Sequence, residues 1–86
     1  MQTALEIVSP EKLLLSRNAD MVVIPASEGE IGVLQGMAPM IVALGAGLIR
    51  VYEGDKIVQK FAVSGGFAEI TTDRCTVLAT EVREES

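Results

Sequence analysis

Histidine and tryptophan are absent from this sequence, and cysteine occurs once. Without histidine the commonest general base and metal ligand is missing, which excludes a Ser/His/Asp or Cys/His catalytic arrangement. Cys75 stands between Arg74 and Thr76 with only carboxylates to act as its base, so it reads as a structural thiol rather than a nucleophile. One cysteine also leaves zinc without its usual ligand set. It permits no internal disulfide, and no leader with a charged start and a small-residue cleavage site precedes Leu5, so a reducing, cytoplasmic setting is expected. Aromatics number three, Tyr52, Phe61 and Phe67, a poor supply for the stacking platforms of sugar sites. Basic residues are scarce as well: seven against twelve acidic ones give a net charge of -5, with no basic run. Nucleic acid and anionic lipid are therefore poor partners.

What is present is branched aliphatic. Ten valines, seven isoleucines and the leucines must build whatever core there is, and such side chains suit pleated sheet better than helix. The 86 residues have room for one domain, with no repeat, low-complexity stretch or linker to divide residues 1–86. Ile31 to Ile49 carries no charge over 19 residues, close to the length that crosses a bilayer. Gly32, Gly36, Gly45, Gly47, Pro39 and Gln35 interrupt it, so direct membrane insertion is not expected.

Short apolar runs alternate with turn signals along the whole chain. Leu5–Val8 precedes Ser9-Pro10, Leu13–Leu15 precedes Arg17-Asn18, Met21–Ile24 precedes Pro25, and Ile31–Leu34 precedes Gly36. Leu48–Tyr52 and Ile57–Val63 flank Glu53-Gly54-Asp55-Lys56, which has hairpin chemistry, and Ile57, Phe61 and Val63 should share a face with Gln59. Phe67–Ile70 and Cys75–Val82 follow, separated by Thr71-Thr72-Asp73-Arg74. The spacing predicts an all-β domain, a sandwich or barrel of about eight to ten short strands. Ser9-Pro10-Glu11 resembles a helix start, but Leu13-Leu14-Leu15 has no second turn to extend its face, so a strand or a single turn is expected there. The terminal Glu81 to Ser86 reads as a solvated tail.

No phosphate loop is found. Gly29, Gly32 and Gly36 lack a following Gly-Lys-Ser/Thr, and Gly45-Ala46-Gly47 lacks a third glycine, so these positions are expected to form turns with positive φ. Glu28 and Glu30 are close enough to be weighed as an acid/base pair, but Gly29 between them and the lack of apolar crowding favour a solvated loop.

A string of motifs in order carries the reading further. Leu5 to Glu11 opens it, followed by Ser27-Glu28-Gly29-Glu30-Ile31-Gly32-Val33-Leu34-Gln35-Gly36-Met37-Ala38-Pro39, then Gly47 to Val51, Val63-Ser64-Gly65-Gly66-Phe67-Ala68-Glu69-Ile70 and Thr76 to Ala79. With these the chain resembles the ε-subunit family of bacterial F-type ATP synthases. The resemblance implies a flattened ten-stranded sandwich at the foot of the central stalk, peripheral to the cytoplasmic face of the inner membrane. Its implied partners are the γ subunit and the c-ring, and its implied role is rotor assembly and torque transmission in proton-driven ATP synthesis, without catalytic residues or cofactor.

Residues at the implied interface are Glu28, Gly29, Glu30, Gly32, Leu34, Gly36, Met37, Ala38, Pro39 and Met40. Glu28 to Gly32 would lie nearest the c-ring, and the apolar residues Leu34 to Met40 would meet γ or pack into the core. Where the family usually has Gly-His-Ala-Pro, this sequence has Gly36-Met37-Ala38-Pro39, which removes a titratable side chain and suggests an apolar contact through Met37 and Met40. The sequence stops where the family continues into a two-helix hairpin, so that hairpin's inhibitory role and the ATP site some members carry there are not assigned. The reading from a different class is a free-standing β-sandwich that binds a peptide or carbohydrate.

Overall fold

The computed structural model describes residues 2–85. Alternation of aliphatic and polar side chains sets eight strands: β1 (Thr3–Val8), β2 (Leu13–Ala19), β3 (Met21–Ala26), β4 (Gly29–Val33), β5 (Met40–Ala43), β6 (Gly47–Glu53), β7 (Lys56–Ile70) and β8 (Arg74–Glu85). They form one hydrogen-bonded sheet in the order β2-β1-β8-β7-β6-β3-β4, with β5 paired to β7. All pairings are antiparallel except β1 with β8.

The length of β7 shows how one sheet becomes two layers. Fifteen residues at about 3.3 Å each would run about 50 Å if straight, whereas the longest extent of the molecule is 29 Å. The strand therefore bends, and it does so at Gly65 and Gly66, with φ of +73° and +111°. A Cβ on Gly66 would lie 2.0 Å from the Leu78 carbonyl oxygen, so no other residue fits between β7 and β8 there. The buried face changes parity at this corner: Phe61 and Val63 point inward before it, Ala68 and Ile70 after it. β8 follows with Cys75, Val77 and Ala79, then Val82.

Each long strand thus serves both layers. One layer runs β2-β1-β8-β7-β5 through the start of β8 and the end of β7; the other runs β4-β3-β6-β7-β8 through the opposite halves. Eight continuous strands give ten segments, which is why the sequence permits either count. Between the layers lie Leu5, Ile7, Val22, Ile24, Val33, Ile49, Val51, Ile70, Cys75 and Val77, none of them exposed, together with Phe61, the buried aromatic.

The hairpin at Glu53–Lys56 is as expected: Gly54 and Asp55 form a two-residue loop, and Gly54 has φ +63°. Four other expectations are corrected. Arg17-Asn18 lies within β2, and the chain reverses at Asp20 instead. Ile57 is 45% exposed rather than in line with Phe61, because a register shift pairs Val51 with Gln59 but Tyr52 with Ile57. Ile57–Val63 and Phe67–Ile70 are one strand, not two. Glu81–Glu85 is not a free tail but the end of β8, paired with Lys60–Ser64 of β7; Ser86 lies outside the described residues. At Ser9 the hydroxyl accepts from the amides of Glu11 and Lys12 and the Ser9 amide donates to the Lys12 carbonyl, which closes a turn into β2 rather than starting a helix.

Candidate partner-binding site

The uncharged stretch from Ile31 is spent on β4, a loop, β5 and the start of β6. No helix among the described residues is long and apolar enough to cross a membrane, and no three His, Cys, Asp or Glu side chains among them are grouped to hold a metal ion. Of the aromatics, Phe61 is buried, Tyr52 is half-buried and Phe67 is 57% exposed.

The ten candidate residues fall into two groups. Ser27 and Glu28 form the turn between β3 and β4, closed by the Ala26–Gly29 pair, with Gly29 at φ +135° and Glu28 exposed. Leu34 to Pro39 form the loop from β4 to β5, at the far end of β4. With five residues in β4, the two are separated by about 17 Å. The structure therefore brings Glu28 and Gly29 together, and Leu34, Gly36, Ala38 and Pro39 together, but not one group with the other.

Between them, Glu30 and Gly32 lie on β4 itself, so Gly32 is a strand residue and not the turn expected of it. Glu30 opposes Pro25, and its Oε1 accepts from Arg50 Nη2 of β6 at 2.7 Å. Both side chains are partly solvated, so this ion pair contributes about 0–1 kcal/mol. It nevertheless engages Glu30 within the sheet, whereas Glu28 makes no ion pair among the described residues.

The far loop is tied down by its own chemistry. Gly36, at φ +94°, donates its amide to the Thr72 carbonyl at 2.6 Å, which fixes the loop beside the β7–β8 turn. The Leu34 amide meets Met37 Sδ at 3.3 Å, and the Met37 side chain packs partly against the core, as does Met40. Met37 thus ties the loop partly to the core. Leu34, Ala38 and Pro39 carry the loop side chains that face solvent, and Gly36 is exposed as well.

Comparison with known proteins agrees with the fold. A family model for the ATP synthase delta/epsilon chain β-sandwich domain matches residues 2–85. The chain belongs to that family. It is 65% identical over 82 residues to the ATP synthase epsilon chain of Granulibacter bethesdensis, covering 95% of this chain and 61% of that protein. It is 47% identical to the epsilon chain of Rhodospirillum rubrum, covering 92% of this chain and 59% of that one. This member of the delta/epsilon family therefore spans about three fifths of the length of these relatives. Among solved structures, a chain of the Euglena gracilis mitochondrial ATP synthase, from a cryo-EM structure of OSCP/F1/c-ring, superposes with a TM-score of 0.85 at 29% identity over 96% of this chain and 53% of that one. A chain of the Tetrahymena thermophila central stalk/c-ring structure shares the fold, with a TM-score of 0.76 at 12% identity over 96% of this chain and 66% of its own length.

Sequence reasoning missed the outward face of the β2-β1-β8-β7-β5 layer. Phe67 and Leu78 are directly paired yet exposed, at 57% and 50%. The signal was available in Phe67 and Leu78 themselves, each flanked by residues of the buried face, Ala68 on one side and Val77 and Ala79 on the other.

Proposed function

We propose that this domain is a non-catalytic rotor element of an F-type ATP synthase, which links the γ subunit to the c-ring at the cytoplasmic face of the membrane. The observation that carries the reading is the family match over residues 2–85, joined by the superposition on a chain of an F1/c-ring assembly. The two-ended site supports it in physical terms. An element that couples two partners needs two contact points held rigidly apart, and β4 holds the Glu28 turn and the Leu34–Pro39 loop about 17 Å apart. Glu28 acts at the c-ring end, where a solvated carboxylate on a tight turn contributes orientation and encounter rate more than affinity. Leu34, Ala38 and Pro39 act at the γ end, where exposed apolar side chains gain from leaving water.

The two ends are separable by mutation. Glu28→Lys should lower recovery of this chain with detergent-solubilised c-ring, more so at low salt, while leaving recovery with γ unchanged. Leu34→Asp with Ala38→Asp should do the reverse. All three positions are exposed, so circular dichroism should be unchanged. Recovery of both partners unaffected by either change would remove β4 and its loops from the interface.

A further inference from the structure

The loop from β4 to β5 is closed by a thioether. Gln35 and Gly36 turn the chain, and Met37 folds back three residues so that its Sδ accepts from the Leu34 amide at 3.3 Å. A thioether sulfur is a weak acceptor, so the tie also depends on the packing of the Met37 side chain against the aliphatic core. A second tie, from the Gly36 amide to the Thr72 carbonyl at 2.6 Å, is made by the backbone and carries no redox chemistry. Met37 is half-buried, and Leu34, Gly36 and Ala38 around it are exposed, so its side chain is within reach of a small solute. Of the other methionines, Met1 lies outside the described residues, Met21 is on β3 beside Gly32 of β4, and Met40 is on β5 opposite Ile70 of β7. Both of these are held in strands and tie no loop.

We infer that Met37 is a methionine-oxidation site, and that its sulfoxide releases the Leu34–Pro39 loop. The oxidant is a hydroperoxide, hydrogen peroxide in the simplest case. The electron pair of the sulfur attacks one peroxide oxygen, and the S–O bond forms as the O–O bond breaks. The second oxygen leaves as hydroxide, takes the proton of the first and departs as water. Sulfur is thereby oxidised by two electrons and the peroxide reduced by two. Oxygen added on the lone pair that faces Leu34 has no room, because an S–O bond and an N–H···O hydrogen bond together span about 1 Å more than the present 3.3 Å. Oxygen added on the other lone pair makes a polar group of a side chain that packs on the core, which costs free energy until the group finds a partner. Either product favours a Met37 side chain turned out to water.

Nothing in the surroundings diverts the oxidant. Cys75 is fully buried, so its thiol does not meet the peroxide. Hydrogen peroxide is uncharged, so the net charge of -5 does not repel it. Loss of the Met37 tie leaves the Gly36–Thr72 bond as an anchor and the β3–β4 pairing intact, so the loop loosens and the sheet does not. The state of one sulfur thus sets the order of one end of β4, and reversibly, since methionine sulfoxide is reducible by enzymes. The inference concerns the free chain and stands whether or not the loop meets γ.

The test is NMR relaxation of the whole chain before and after hydrogen peroxide, with peptide mass spectrometry to place the added oxygen. Met21→Leu with Met40→Leu leaves Met37 as the one methionine within the described residues. In that variant one oxygen should appear on Met37, and the order parameters of the Gln35, Met37 and Ala38 amides should fall from the rigid range, about 0.85, to below about 0.6. The two methionine sulfoxide reductases should restore them. In Met37→Leu, which keeps an apolar side chain and lacks the sulfur, peroxide should leave the order of the loop unchanged. A Met37 that resists, in the folded chain, peroxide that oxidises it in urea would overturn the inference. So would a loop already mobile before peroxide, oxidation of Met37 without loss of order, or an equal loss in Met37→Leu.

Discussion

At the scale of single residues, two positions carry more than their size suggests. Gly66 sits where β7 turns from one layer into the other, and an added Cβ would meet the Leu78 carbonyl oxygen at 2.0 Å and the Ala79 Cα at 2.9 Å. Both are backbone atoms in a paired strand and cannot swing away. Gly66→Ala should therefore destabilise the fold by more than about 3 kcal/mol, read as a fall in the urea midpoint or a failure to fold, whereas Gly54→Ala in the exposed hairpin should cost only the strain of a positive φ, about 1 kcal/mol. Cys75 is fully buried, and burial pushes its thiol up to about 11. The native state holds that proton while the unfolded chain releases it near 9, so the thiol's contribution to stability is complete below pH 9 and declines from there to about pH 11. Cys75→Val should remove that part of the alkaline decline in denaturation midpoints, and native Cys75 should resist iodoacetamide at pH 8 until urea unfolds the chain.

At the scale of elements, the turn between β2 and β3 clamps the β6–β7 hairpin. Asp20 Oδ2 accepts from the Gly54 amide at 2.6 Å, and Oδ1 accepts from Gln2 Nε2 at 3.3 Å. The Gly54 amide, then the Gln2 side chain, hold the Asp20 carboxyl below its ordinary value of 3.8. A depressed acid stabilises the fold above its unfolded pKa and loses that contribution as pH falls through the folded one. Asp20→Asn should accordingly leave a flatter acid limb, with the difference from wild type largest near neutrality and shrinking below about pH 4. β2 is tied to the same end: Arg17 bonds Gln59 at 2.9 Å and pairs with Glu53, and Gln59 bonds Glu84 at 3.2 Å. This explains why Gln59, a polar residue in an aliphatic row, was legible as a strand member but not as a structural link. Strand content and the hairpin were readable from alternation and turn chemistry. Long strands were not, because glycines within β7 look like a break when they are in fact a corner, and the acidic end of β8 looks like a tail when its register with Lys60–Ser64 makes it a strand.

At the scale of the whole molecule, the fold is one sheet turned back on itself around an aliphatic core, with two chemically different ends on either side of β4. The candidate residues were found by resemblance and not by chemistry. The separation of Glu28 from the loop to Pro39 is set by a register that no local pattern encodes. Met37 was ambiguous between partner and core, and it is half-buried, packed partly against the core. The exposed pair of Phe67 and Leu78 was hidden for a related reason: its members stand on two strands, and only the pairing aligns them. The central claim, that the two ends of β4 reach two different rotor components, is tested most directly by site-specific crosslinking. Cys75 is buried, so a single new cysteine is the one reactive thiol. Glu28→Cys and Ala38→Cys, each labelled with a maleimide photocrosslinker and irradiated in energised membranes, should give an adduct with the c subunit from the first and with γ from the second. Adducts with neither protein from either site, in membranes where the assembled synthase is present, would contradict the account.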